Sequence, residues 1–288
     1  MSYAPLRYAL ALALVASAAG AQEVIVTPTN TQGWGPDPFR MPYNGGVQAI
    51  TTTQPRSGNG SLQMSVSNND ADRTGYARFA AAGTNFGLLS SLTSLGFDWY
   101  AQTPGLQSPT LRLYLNVANP AGGTMTGQLG WYADGAINGP VPANTWTTSS
   151  LLDGDGNNNF FLRFFSGGGN PSGQIALDCD NSDRGSDFNG RMQSIGAWLA
   201  SCNGGAGELN LSSATIFGIG LDMGAWPGPG TSTFTNHMDN VSYQFAGANA
   251  ATTYNFEAQV VPEPATVLLF GTGALGLVGF AARRRSSK

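Results

Sequence analysis

The chain has 288 residues, with 13 basic and 17 acidic side chains, a net charge of −4 and a single histidine. Charged residues make up 10% of it, against ~25% in typical soluble domains. So few basic residues exclude a nucleic-acid-binding surface, and the composition is poor in the residues that long soluble helices draw on. Aromatic residues at 10%, apolar residues at 41% and 40 glycines suit a turn-rich β-protein with a buried core rather than a disordered chain.

Residues 1–21 read as a secretory signal peptide. Arg7 supplies the positive start, residues 8–18 form a short apolar run, and Ala19-Gly20-Ala21 has the small-x-small form of a cleavage site. The mature chain is expected to begin at Gln22, because the apolar run is too short to favour an uncleaved anchor. The body spans 22–260. It carries sixteen acidic and eight basic residues, all arginine, and the only lysine of the chain is Lys288. The exported part is therefore near −8.

Residues 23–27 are a candidate opening strand, and 29–44 a loop rich in Pro, Gly and Asn around Trp34 and Phe39. A candidate strand covers 46–53. Residues 60–67 alternate strictly, with Leu62, Met64 and Val66 on one face, as a half-buried strand does. Further strands are expected at 75–81, at 95–102 with Phe97 and Trp99 on one face, and at 110–118 with Leu111, Leu113, Leu115 and Val117 inward. Others follow at 128–132, 146–151, 160–165, 214–223 and 239–245, and 253–260 reads as a final strand or a tether. Residues 191–202 read as a short helix. Cys179 and Cys202, an even count in an oxidising compartment, read as one disulfide. Ten or more short strands without a long helix predict an all-β fold, a single β-sandwich or jelly-roll-like body.

The tail, 261–288, has three parts. Pro262-Glu263-Pro264 comes first, an uncharged and mostly apolar run fills 265–282, and Arg283, Arg284 and Arg285 follow. As a helix the run reaches ~27 Å, the short end of what spans a bilayer. Its four glycines suit a membrane helix, and the arginines would stay cytoplasmic. A transmembrane helix over 265–282 is therefore expected, with a buried C-terminal helix as the alternative.

These three parts, in this order, resemble the PEP-CTERM sorting signal of exported bacterial proteins. The resemblance implies recognition and processing by an exosortase, a membrane cysteine protease. It also implies a location that begins anchored in the inner membrane with the body in the periplasm, then becomes the cell surface or exterior. Such bacteria often make exopolysaccharide. The strand order, with G-N-G-S-L-Q-M at 58–64 and the segment 238–243, also looks like jelly-roll carbohydrate-binding modules.

Candidate chemistry is sparse. Asp153, Asp155 and Asn157 resemble the start of an EF-hand-type calcium loop, but Asn158 stands where Gly is wanted, so an Asx-rich turn competes. Asp178, Asp180, Asp183 and Asp187 form a second acidic cluster, open to calcium or to simple solvation. In jelly-roll modules a structural calcium often involves an Asp near the final strand, which by resemblance makes Asp239 a candidate. His237 is the only histidine and lacks the partners of a triad or a zinc site. A glycosidase needs two opposed carboxylates; Glu23, Glu208 and Glu257 are far apart in sequence, while Asp98 and Asp222 lie within expected strands. Trp34 and Trp226, in Pro/Gly loops, are candidates for stacking on sugar rings. The leading reading is a non-catalytic cell-envelope or matrix protein processed by an exosortase. The alternatives are an exopolysaccharide-binding module and a secreted hydrolase.

Overall fold

Two-residue alternation of apolar and small polar side chains builds two sheets that share one core. The computed structural model describes residues 22–40, 45–67, 72–102, 108–120, 122–152, 158–164, 179, 192–224 and 233–259. The first sheet runs in the order β1 (Gln22–Val26), β14 (Thr252–Phe256), β13 (Thr233–Phe245), β4 (Ser61–Ser67) and β3 (Val47–Thr51). On the other edge of β13 lie β7 (Leu92–Ala101) and then β10 (Trp146–Ser150). The second sheet is ordered β11 (Phe161–Phe164), β9 (Thr124–Tyr132), β8 (Thr110–Ala118), β12 (Thr215–Gly224), β5 (Arg73–Phe79) and β2 (Trp34–Pro36), with β6 (Gly87–Leu88) beside β12. The pairings are antiparallel except that of β1 with β14, which is parallel.

The inward positions are the alternating ones. Leu62, Met64 and Val66 from β4 and Leu95, Phe97 and Trp99 from β7 meet Leu111, Leu113 and Leu115 from β8 and Leu129 and Trp131 from β9. Phe97 and Trp131 touch edge to face, 5.6 Å between centroids, which fixes the two inner faces against each other. Each aliphatic or aromatic side chain buried this fully contributes roughly 1.5–3 kcal/mol.

β13 ties the first sheet together. Its early residues pair with β4 on one side, its late residues pair with β14 on that same side, and β7 runs along the other side. The register with β7 slips between Asp239 and Ser242, and Asn240 has φ 49°, a left-handed conformation that Asn tolerates. This bulge changes which residues face inward, from Phe234 and Met238 before it to Val241 and Tyr243 after it.

The one α-helix among the described residues, α1 (Ile195–Ser201), is capped by the Ser194 hydroxyl, which accepts the Ala197 amide at 3.2 Å. Trp198 pins it to the second sheet by donating from Nε1 to the Phe160 carbonyl at 2.8 Å. Cys202 follows the helix and is joined by a disulfide to Cys179, with 5.0 Å between Cα atoms.

Two expectations need correction. The loop around Trp34 contains the short edge strand β2, and residues near 87 form β6; both are too short and glycine-rich to show an alternation. The expectation of a transmembrane helix, and with it a membrane partner and inner-membrane anchoring, is not upheld. No helix among the described residues is long and apolar enough to cross a membrane, and residues 265–282 lie outside the described residues.

Candidate functional site

The two outer faces of the sandwich carry the polar residues that could do chemistry. On the first sheet, alternation along β7 turns Asp98 outward. Its Oδ1 accepts from the Thr148 hydroxyl at 2.5 Å, and its Oδ2 accepts from Arg56 Nε at 2.9 Å and Asn240 Nδ2 at 2.8 Å. Arg56 also lies over the Trp146 ring, 5.8 Å from its centroid. A groove of about 360 Å³ runs beside this cluster, lined by Ser94, Gly96, Thr148, Asn240 and Ser242 among others. Both oxygens of Asp98 are engaged, so the carboxylate braces the loop after β3 against β7, β10 and the β13 bulge.

Next to this cluster, Asp239 is fully buried. Its Oδ1 accepts the amides of Asn240 and Phe256, both at 2.8 Å, while Oδ2 makes no hydrogen bond of regular geometry, and the Ser57 amide is also near enough to favour the carboxylate's charge. Burial pushes its carboxyl up to about 8. Glu257 packs under the same loop, where its Oε2 accepts the Asn59 amide at 2.5 Å; burial raises its carboxyl too. His237 is buried against the Tyr100 ring at 5.9 Å. Its Nδ1 sits 3.3 Å from the Ser61 hydroxyl, which itself donates to the Gln54 carbonyl. The Ser61 oxygen therefore accepts from Nδ1–H, and Nε2 is left without a partner. Burial drives this imidazole down to about 4.

The outer face of the second sheet is built differently. Arg112 and Tyr114 alternate outward along β8, and Asp222 outward along β12. Asp222 is 1% exposed and lies between two guanidiniums: Arg40 Nε is 2.5 Å from Oδ2 and Arg112 Nε is 2.8 Å from Oδ1. Burial opposes its charge, but the two arginines outweigh it and hold the carboxyl below the usual carboxylate range. Arg40 also donates to the Gly224 carbonyl at 3.1 Å, and Arg112 lies 5.1 Å over the Phe161 ring. The Tyr114 hydroxyl donates to Asp37, whose carboxyl burial raises. Glycine is required below this network. A Cβ on Gly75 would come within 2.7 Å of Arg40 Cβ, and one on Gly218 within 2.5 Å of the Phe79 ring.

Several expectations change against this geometry. Asp98 and Asp222 do not form an opposed pair: they lie on the outer faces of different sheets, with the core between them, and each already holds an arginine. Trp34 offers no surface for a sugar. It is 3% exposed, stacked with Tyr76 at 6.2 Å and met edge-on by Tyr254 and Phe256, because β2 turns its ring into the core. Trp226, the run Asp153, Asp155 and Asn157, and the cluster Asp178, Asp180, Asp183 and Asp187 lie outside the described residues, as do residues 1–21, Pro262, Glu263, Pro264, Arg283, Arg284 and Arg285. Among the described residues no group of three or more His, Cys, Asp or Glu side chains comes together. The arginine set around Asp222 had no sequence signal, since Arg40 and Asp222 are 182 positions apart.

Comparison with known proteins adds one specific match. Residues 260–285 match the PEP-CTERM protein-sorting motif, which supports export of this protein and its processing by an exosortase. No curated protein matches the chain. Among solved structures it is similar to carbohydrate-binding modules of the β-sandwich superfamily, at 10% identity and a TM-score of 0.32, over 74% of this chain and 57% of that one. It is also similar to a β-1,2-glucanase from Parabacteroides distasonis, at 8% identity and 0.32, over 75% and 23%. A third is an endo-β-1,4-glucuronan lyase from Trichoderma reesei, at 13% and 0.32, over 72% and 90%. The chain spans little more than half of the first of these and about a quarter of the second. At such TM-scores the likenesses carry no argument about ligand or activity.

Proposed function

We propose that this is a non-catalytic protein of the cell envelope or extracellular matrix, delivered there by an exosortase. The observation that carries the reading is the sorting motif at 260–285, which begins four residues after β14 ends. The state of the carboxylates supports the non-catalytic part: Asp98 and Asp222 are separated by the core and neutralised by arginines. The test is to replace Pro262-Glu263-Pro264 with three alanines and measure the mass of the exported protein in the native host. The wild type should lose its tail and the variant should keep it. Identical masses would overturn the reading.

A second reading, that the body meets extracellular polysaccharide, is favoured by the groove of about 360 Å³ lined by hydroxyls and the Asn240 amide beside Asp98 on the first sheet. We also propose calcium as a structural ligand at Asp239. The buried Oδ2, without a hydrogen bond of regular geometry, suits a hard cation, which favours oxygen donors, and Glu257 is close enough for its charge to act on Asp239. Calcium bound there would neutralise these carboxylates and clamp the loop after β3 to the end of β14.

A further inference from the structure

We propose that the groove on the outer face of the first sheet seats an uncharged polysaccharide, which crosses the strands along the row Ser150, Gly96, Ser242 and Thr253. This rests on the reading that the body meets extracellular polysaccharide, and adds where the chain lies and what charge it has.

The row follows from strand register. Ser150 on β10 is opposite Gly96 on β7, Gly96 is opposite Ser242 on β13, and Ser242 is opposite Thr253 on β14. Thr253 in turn is opposite Glu23 on β1. Neighbouring strands lie about 4.8 Å apart, so the row extends roughly 19 Å from β10 to β1. It begins and ends on edge strands, since β10 pairs with β7 and β1 with β14. Its side chains are small, and Gly96 leaves bare backbone at the floor: a Cβ there would lie 2.6 Å from the Ser149 carbonyl oxygen. The row beside it carries Thr148 and Asp98, and Asp98 holds Arg56 and Asn240, which together form a wall. The result is the groove of about 360 Å³. Thr148 and Ser150 are exposed, and Ser94, Asn240, Ser242 and Thr253 are half-buried, so a ligand reaches it directly from solvent.

Two independent observations define what fits. The first is hydrogen bonding. The Thr148 hydroxyl is already used on Asp98, and the Ser149 hydroxyl by Trp99 Nε1. Those of Ser94, Ser150, Ser242 and Thr253 make no hydrogen bond among the described residues. Each hydroxyl both donates and accepts, so the groove matches a ligand that does the same. The second is charge. Asp98 is the one charged side chain among the described residues that line the groove. It is paired with Arg56 through one oxygen and bonded to Thr148 through the other. An acidic chain would find no free cation there, and a basic one no free carboxylate. An apolar ligand would strip water from the hydroxyls without replacing its hydrogen bonds. A peptide strand needs main-chain partners, and β7, β13 and β14 each already have a strand on both sides at this row. An uncharged, hydroxyl-rich chain meets both observations, and a row that is open at two sheet edges lets it run on past the protein.

The test uses the purified full-length chain, with dextran, galactomannan, hydroxyethylcellulose and polygalacturonate as probes, and affinity read by calorimetry. At least one of the neutral polymers should bind, with an affinity that does not weaken as salt rises, and polygalacturonate should not bind. Ser150→Ala, Ser242→Ala and Thr253→Val combined should lower the affinity by about tenfold or more, with the unfolding temperature checked to confirm an intact fold. Ser150→Ala alone, at an exposed position, should lower it by about threefold or more. Ser212→Ala, outside this sheet, should bind like the wild type. If polygalacturonate binds as well as the neutral polymers or better, the uncharged assignment fails while polysaccharide contact stands. Should no polymer bind, both fail. Equal affinity in the wild type and the serine and threonine variants would place the ligand elsewhere and overturn the assignment.

Discussion

Asp222 accepts two buried guanidiniums, and removing its charge would leave both without a counter-ion. Breaking a buried ion pair from one side is costly because the surviving charge cannot return to water. Asp222→Asn should therefore lose roughly 3–5 kcal/mol in urea unfolding, with Arg40 and Arg112 stranded. Asp239 behaves oppositely. Its folded value near 8 stands well above the ordinary aspartate value of about 4, so the native protein keeps a proton that the unfolded chain has released. That contribution is complete below pH ~4 and is lost as pH rises through 8. His237 acts between its ordinary value and the folded value of about 4, and weakens the fold as pH falls through that range. The window from 6.5 to 8 is therefore governed by Asp239, not His237. In chelator the unfolding temperature should fall across this window, and Asp239→Asn should flatten the slope. Added calcium should restore the wild type at pH 8 and leave Asp239→Asn unchanged. A wild-type curve flat in both buffers would contradict the burial of an unpaired carboxyl. At this scale the sequence was informative only in part. A carboxylate inside a strand marked Asp98 and Asp222 as unusual, but nothing local marked the arginines that meet them, because those arrive from loops and strands distant in the chain.

The elements were most legible where alternation ran uninterrupted. β8 occupies Thr110–Ala118, as its leucines and valine require, and β4 follows Leu62, Met64 and Val66. β13 was legible only in its second half. Its inward set includes Asn236, buried with its amide on the Met223 sulfur, and the bulge at Asn240 then reverses the alternation. A polar residue in a core position and a change of phase together conceal a single thirteen-residue strand. The loop after β3 depends on contact of another kind. Gly60 packs so tightly that an added Cβ would lie 2.4 Å from the Ala258 amide nitrogen. Gly60→Ala should cost about 1–3 kcal/mol through overpacking, read as a lower urea midpoint. A neutral result would mean that the loop can lift away from the end of β14 without cost.

The whole molecule is a sandwich whose two outer faces have separate characters: hydroxyl-lined with a single arginine–aspartate brace on the first sheet, arginine-rich on the second. Composition pointed to the β class because glycine, serine and threonine replace the charged surface of helical proteins. It could not show that half of the body's arginines share one face, since that depends on how β5, β8 and β11 are brought together by pairings distant in sequence. The pairing of β1 with β14 has a consequence for the order in which the molecule is completed. Residues 22–26 open the body and are joined by 252–256 near its end. Until then β1 has no partner and β13 lacks one of its neighbours along its late half. Contacts this distant in sequence form slowly. The final closure of the domain therefore waits for the segment immediately before the sorting motif, so that a chain interrupted before residue 252 would present an unpaired strand instead of a finished edge.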